Sequence, residues 1–411
     1  MKKRPVDAIL KAVQYAADNS PFYQEIWKES GVDARSIRSM EEFEMLPLTD
    51  KNDLRRAYPL GIQAVPSKKV VRVHSSSGTT GSPVIIPYTQ KDIDDWATMF
   101  ARCYALAGIT EEDVIQITPG YGLWTAGIGF QAGAEKLGAM VVPMGPGNTE
   151  KQLMMMQDLK STVFCATSSY ALLVAEQVEK RGLKDRIYLK KGIIGSERWG
   201  DKMRQTIAET LGIELFDVYG LTEVYGPGIA LDCPYHQGMH YWDDYLYFEI
   251  IDPKTGKVLP DGETGELVIT TLCKEAAPLV RYRTHDITRI LPQDCPCGSP
   301  YPMIDRIVGR TDDMTKVKGV NIYPGQIDHV LSSVPGVASE YQIIINHVNG
   351  KDTICLRVEQ EEGAESDRVR SQLLHGFKSK IGVSVDVELL PLGELPRSEK
   401  KTRRVYDYRD Q

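Results

Sequence analysis

"VIQITPGYGLWTAGIGFQAGAEKLGAMVV" runs from Val114 to Val142 and opens and closes on short apolar segments, with a Gly-rich turn after the first. Val114-Ile115-Gln116-Ile117 and Ala139-Met140-Val141-Val142 read as strands, and the stretch between them is long enough for a crossover helix. The same rhythm returns at Thr162-Val163-Phe164-Cys165 and Gly192-Ile193-Ile194. The region from about Val70 to Leu215 is therefore expected to be α/β, with a largely parallel sheet flanked by helices. Such sheets bind ligands at the carboxyl ends of their strands. There the chain places Thr118-Pro119-Gly120-Tyr121-Gly122, Ala166-Thr167-Ser168-Ser169-Tyr170 and Gly195-Ser196-Glu197.

On the N-terminal side, the first 70 residues read as helical and peripheral, with helix-spaced apolar positions from Val6 to Ala17. From Tyr247 the pattern turns to β-hairpins: "YFEIIDPKTGKVLP" is strand, turn and strand, and "GETGELVITTL" adds another. The last hundred residues read as a small α+β unit. It has helices near Gly325 to Ser333 and Ser366 to Ile381, and strands at Tyr341 to Ile345, Thr353 to Val358 and Val383 to Leu390. The boundary falls near Gly309-Arg310-Thr311-Asp312-Asp313, which gives a large domain over 1–310 and a small one over 311–411.

With 411 residues, 42% hydrophobic and 26% charged, the chain has the composition of a soluble globular protein. Its formal charge of −7 offers no overall basic footprint, so nucleic acid is not an expected partner. Met1-Lys2-Lys3-Arg4-Pro5 lacks the apolar continuation of a signal peptide, and no run approaches the roughly 18 apolar residues that span a bilayer. A cytoplasmic protein without a membrane partner is expected. Seven cysteines make no disulfide framework. Cys103, Cys165, Cys273 and Cys355 lie among apolar neighbours, whereas Cys233, Cys295 and Cys297 lie among turn residues.

"HSSSGTTGSPVIIPY", His74 to Tyr88, packs hydroxyls and glycines between two apolar stretches. Glycines let a backbone approach a ligand, and hydroxyls with exposed N–H groups suit an anion. The phosphate loop G-x-x-x-x-G-K-[ST] does not fit, because no lysine follows and the loop joins strand to strand. A polar hairpin turn is the other reading of this stretch alone.

Four further stretches accompany it: "DVYGLTEVYGPG" (Asp217 to Gly228), "RYRTHD" (Arg281 to Asp286), "GRTDDMTKVKGVNIYP" (Gly309 to Pro324) and "LPRSEKKTRRV" (Leu395 to Val405). In this order, and with "GYGLWTAGIGFQAGAEKLG", "TSSY" and "KGVNIYP", the chain resembles the adenylate-forming enzymes that include acyl-CoA synthetases, in particular the phenylacetate-CoA ligase branch. The resemblance implies that Ser75, Ser76, Ser77, Gly78, Thr79, Thr80 and Gly81 close over the ATP phosphates. It implies that Gly195, Ser196, Glu197, Asp217, Tyr219 and Gly220 belong to the nucleotide site, that Thr222 touches the phosphate, and that Glu223 holds Mg²⁺. Asp286 would accept from the ribose hydroxyls beside Arg310, and Asp312 would be the hinge of the small domain. Lys401 would reach the α-phosphate, and Lys318 would serve the thiol step. Tyr121, Trp124, Gly127 and Phe130 would line a pocket for an aromatic acid, with ordinary core as the other reading of each aromatic residue.

The implied reaction joins a carboxylic acid to ATP as an acyl-adenylate, releasing pyrophosphate, and passes the acyl group to coenzyme A with release of AMP. The expected acid is phenylacetate or a similar aromatic acid. Two alternatives are an adenylating enzyme that hands the acyl group to a carrier-protein thiol or an amine, and a nucleotide-binding sensor without turnover. Three features depart from the family pattern: Lys400 stands directly before Lys401 and could take its role, His285 replaces a common Gly, and Ala126 and Ala132 replace Gly and Tyr. Cys233 and His240, with Cys295 and Cys297, suit a closed tetrahedral Zn²⁺ site with a structural role, and His236 is the alternative fourth ligand. A homodimer is common in this branch.

Overall fold

The computed structural model describes residues 6–76, 83–197, 199–312, 315–317, 320–322, 324–348, 351–397 and 404–409. A nine-stranded sheet forms the centre of the large domain. Its parallel strands lie in the order Met140–Pro143, Val114–Ile117, Val163–Thr167, Lys191–Gly195, Glu214–Leu221. Beyond Glu214–Leu221 the sheet continues antiparallel through Gly226–Asp232, Met239–Tyr241, Met303–Ile304 and Ile290–Leu291. The chain leaves Val114–Ile117 toward one edge and returns to its other side at Val163–Thr167. The strand order therefore reverses between these two, the point at which open α/β sheets hold ligands in a crevice outside the carboxyl ends of their strands.

Helix Ala126–Leu137 follows the turn after Val114–Ile117, as the spacing predicts. It lies against helix Gln90–Leu106 so closely that a Cβ on Gly129 would fall 2.4 Å from the Trp96 ring and one on Gly133 would fall 2.6 Å from Phe100. Helices Ser168–Lys180 and Asp201–Leu211 carry part of a second apolar cluster with Phe164, Ile194 and Leu215.

A four-stranded antiparallel sheet, Leu246–Ile251, Gly265–Thr271, Tyr282–Thr288 and Gly309–Arg310, sets Asp286 opposite Arg310; the second strand expected within "YFEIIDPKTGKVLP" is only an isolated bridge from Ile251 to Val258, and Leu246–Ile251 pairs with Gly265–Thr271 instead. The N-terminal segment is helical, as expected, but not peripheral. Tyr23 is fully buried, and its hydroxyl accepts from the Val280 amide at 2.7 Å. Thr49 exchanges main-chain bonds with Arg281 and Arg283. These contacts pair residues more than 200 positions apart, so local periodicity carries no sign of them.

The small domain has its own apolar core, from Val317 to Val387. Strands Val337–Val348 and Lys351–Gln360 pair antiparallel, Asp386–Leu390 adds to one side in parallel, and helices Pro324–Ser332 and Ser366–Gly376 are present. A strand that the sequence does not suggest, Val405–Asp407, completes the other edge in parallel with Val337–Val348. The preceding Arg404 is held by Glu340 at 2.9 Å and covers the Tyr341 ring, which docks this charged segment on the core. Among the described residues, no helix is long and apolar enough to cross a membrane.

Candidate functional site

The turn after strand Glu214–Leu221 carries Thr222 and Glu223 into the crevice. Three groups hold it. The Thr222 hydroxyl lies 3.0 Å from that of Thr125, at the start of helix Ala126–Leu137. The Tyr88 hydroxyl donates to the Tyr225 carbonyl at 2.8 Å. The buried Lys274 donates to the carbonyl oxygens of Glu223 and Val224, with its ammonium over the rings of Tyr88 and Tyr225. Burial pulls the Lys274 pKa down to about 7, opposed by Asp92 and Glu223.

The Glu223 side chain is buried, and its Oε1 lies 2.9 Å from Lys51 Nζ. The approach is that of an ion pair and lacks hydrogen-bond angles, so Oε1 has no hydrogen-bond partner among the described residues. A buried carboxylate oxygen with acceptor capacity left over fits a hard divalent cation such as Mg²⁺. Lys51, Lys274 and Tyr88 contact the turn of the candidate site and are residues that the sequence reading does not name. Lys51 begins a capped helix, Lys51–Arg56, and looks like a solvated surface charge; the one available signal is the capping pair Asp50 and Asp53, which fixes where the helix starts.

Three residues before Thr222, the Tyr219 hydroxyl donates to Asp286 Oδ2 at 2.6 Å, and Arg310 Nη1 lies 2.7 Å from Oδ1. Burial raises the Asp286 pKa, and Arg310 and Tyr219 oppose the shift. Arg310 also grips Asp312 at 2.8 and 2.9 Å, so one guanidinium links the site to the proposed hinge. The two clusters at neighbouring strand ends meet as well: the Glu197 carboxylate accepts from the Ser169 amide at 3.0 Å and the Ser168 hydroxyl at 3.2 Å, at the N-terminus of helix Ser168–Lys180. Ser196 takes a left-handed backbone, and Gly195 is required because a Cβ would fall 2.3 Å from the Val218 carbonyl oxygen.

Several expected residues have other work in the structure. The Ser76 hydroxyl accepts from the Val84 amide and that of Ser75 donates to the Ser76 carbonyl, so both pin the neck of the hairpin Arg72–Ser75/Ile85–Tyr88. Asp217 is paired with Arg204 at 3.1 Å, which stacks on Trp199. Gly220 admits the close approach of the next strand, since a Cβ there would fall 2.1 Å from the Gly226 carbonyl oxygen. Phe130 is buried, 1% exposed, with its ring centroid 4.6 Å from that of Phe100. Gly127 makes room for Tyr121, whose ring a Cβ would meet at 2.7 Å; the Tyr121 hydroxyl is buried, and Trp124 is exposed. Ser77, Gly78, Thr79, Thr80, Gly81, Lys318, Lys400 and Lys401 lie outside the described residues.

The thiols among turn residues do converge. The ligand atoms of Cys233, His240, Cys295 and Cys297 all lie within 4.8 Å of one another, with Cys233 Sγ 3.5 Å from Cys295 Sγ and Cys297 Sγ 3.3 Å from His240 Nε2. His240 Nδ1 donates to the Tyr301 carbonyl at 2.9 Å, which leaves the Nε2 lone pair toward the thiols. His236 stands apart, bonded to Asp232 at 2.6 Å, and that carboxylate raises its pKa. The donor set of three sulfurs and one imidazole nitrogen fits Zn²⁺.

The comparisons with known proteins agree with this geometry. The AMP-binding enzyme family matches residues 13–273, and the AMP-binding enzyme C-terminal domain matches residues 319–409. Phenylacetate-coenzyme A ligase of Pseudomonas putida is 41% identical, over 100% of this chain and 94% of its own. The ligase of the same name from Thermus thermophilus is 40% identical, over 98% and 95%. Among solved structures, 2-hydroxyisobutyryl-CoA ligase in the postadenylation state superposes with a TM-score of 0.89 at 29% identity, over 98% of this chain and 89% of that one. The same enzyme in the thioesterification state gives 0.71 at 30% identity, over 98% and 90%. With both family models matched along the chain and relatives of about 40% identity over nearly its whole length, the chain belongs to the AMP-binding, adenylate-forming enzyme family, in its phenylacetate-CoA ligase branch.

Proposed function

We propose that the protein is an AMP-forming acid:CoA ligase acting on phenylacetate or a similar aromatic acid. The observation that carries this reading is the Tyr219–Asp286–Arg310 chain standing beside the Thr222–Glu223 turn, which puts an acceptor for sugar hydroxyls next to an acceptor for a cation. Asp286 holds the ribose, and the Thr222 hydroxyl donates to a phosphate oxygen. Glu223, with Lys51 beside it, is the residue that would hold Mg²⁺. The bound ion supplies charge neutralisation on the phosphates. The acid's carboxylate oxygen attacks the α-phosphorus and the bond to pyrophosphate breaks. The CoA sulfur then attacks the acyl carbon, the thiol proton is lost and AMP departs. No protein nucleophile is needed, and Cys103 and Cys165 are buried thiols held well above their ordinary pKa by burial.

We further propose the division into domains 1–310 and 311–411 with Asp312 as hinge, ATP, Mg²⁺ and CoA as the working ligands, a cytoplasmic location and a homodimeric assembly. The deciding experiment is a panel of carboxylic acids assayed for AMP with and without CoA. CoA-dependent AMP formation, strongest with aryl-acetic acids, is expected. AMP formation from no acid at all, or only with a carrier protein in place of CoA, overturns the reading.

A structural Zn²⁺ at Cys233, His240, Cys295 and Cys297 completes the proposal. The cluster ties the turn after Gly226–Asp232 to the edge strands, so loss of the ion loosens that edge. Cys295→Ser is expected to lower Tm by roughly 5 °C, given that about 1 kcal/mol moves Tm by some 2–4 °C in domains of about 150–250 residues. Elemental analysis of protein purified without added metal decides the point: one zinc per chain is expected, and a value below about a tenth means free thiols.

A further inference from the structure

We infer that Arg397 is a positioning residue that fastens the two domains in the arrangement for adenylation and lets go of one partner for the thiol step. This rests on the reading of the protein as a ligase with two half-reactions. Arg397 Nε lies 3.0 and 3.2 Å from the two carboxylate oxygens of Glu176, and Nη2 lies 2.8 Å from Glu176 Oε1. On its other side, Nη1 and Nη2 each lie 2.8 Å from an oxygen of Glu359. Glu176 belongs to helix Ser168–Lys180 of the large domain, and Glu359 to strand Lys351–Gln360 of the small one.

The two halves of this bridge differ. The Glu359 side chain is fully buried, and its Oε1 also accepts from the Leu395 amide at 2.7 Å, so that half travels with the small domain. The Glu176 side chain is 33% exposed and can return to water when the domains part, leaving Arg397 still paired. The helix that carries Glu176 begins at Ser168 and Ser169, which bind Glu197 in the crevice. Arg397 lies four residues before Lys401, so the bridge anchors the segment that the adenylation step needs. Lys202 makes a second link between the domains, to the carbonyl oxygens of Val334 and Val337. The greater likeness to the postadenylation structure than to the open and thioesterification structures of the same enzyme puts the bridged arrangement on the adenylation side of the cycle.

The test uses the full-length chain and Glu176→Gln, which keeps shape and removes charge. Acyl-adenylate formation should fall about tenfold, within the usual range for coupling between two sites, while thioester formation from presynthesised acyl-adenylate and CoA holds or rises. Glu176→Asp should recover part of the first half-reaction. Small-angle scattering of the ligand-free protein should show a larger radius of gyration for Glu176→Gln than for wild type. Equal change in both half-reactions, or none in either, overturns the inference, because a purely structural contact would not separate them. If wild-type protein adenylates no acid, the functional reading fails, and the scattering comparison alone decides whether the bridge holds the domains.

Discussion

Glu223→Gln should slow acyl-adenylate formation by about 10²–10³-fold, the loss that follows removal of one preorganised electrostatic partner from a phosphoryl or acyl transfer site. The substitution keeps the volume and the main-chain bonds that Lys274 and Tyr88 make to the turn. Only the charge disappears, and with it the attraction for a divalent cation. Lys51 is left unpaired, but its side chain is 34% exposed and can turn to water, so the change in stability should be roughly 1 kcal/mol or less. ATP–pyrophosphate exchange with the acid is the measurement, repeated over a range of Mg²⁺ concentrations. A lower rate and a shift to higher Mg²⁺ are expected together, with Tm nearly unchanged. Wild-type exchange in the variant takes Glu223 out of the cation site, and a large fall in Tm assigns it to structure instead.

The parallel part of the fold is legible in the sequence because both faces of those strands are covered, which makes them short continuous apolar runs such as 163–166 with glycine and hydroxyl residues at their carboxyl ends. The site is legible to a lesser degree. Asp286, Thr222 and Glu223 stand in distinctive stretches of sequence, but Lys51 reaches Glu223 from 172 positions away, and a lysine at a helix start carries no mark of that. For Phe130 the sequence allows both pocket and core, and its burial is set by packing on Phe100, 30 positions earlier. Of His236 and His240, the structure brings His240 together with the thiols, and the Tyr301 carbonyl, 61 positions from it, orients its ring. Arg397 reads as one member of a basic cluster, although two carboxylates from different domains hold it. In each case the missing information is a long-range contact, which spacing along the chain does not encode.

Lys401→Ala should abolish formation of acyl-adenylate from ATP and acid, by about 10²–10³-fold or more, and leave conversion of presynthesised acyl-adenylate with CoA nearly intact. The assignment comes from "EKKTRRV"; Lys401 lies outside the described residues, and the described residues on either side of it are both anchored. On one side Arg397 is tied to Glu176 of the large domain; on the other, strand Val405–Asp407 is paired with Val337–Val348 of the small domain. Under the proposed alternation about Asp312, the Arg397–Glu176 link holds only for the first half-reaction, so the loss in Lys401→Ala is expected in that half alone. In the proposed role the lysine's charge would serve the attack on the α-phosphate, where two anions meet, and would have no counterpart in the attack of a thiol on an acyl carbon. The half-reactions should therefore separate far more widely than in Glu176→Gln, which weakens the arrangement without removing the charge. Rapid-quench measurement of each half-reaction, in a variant shown to fold and bind ATP, reads the split. Equal losses in both remove Lys401 from the adenylation step, and selective loss in Lys400→Ala moves the role one position back.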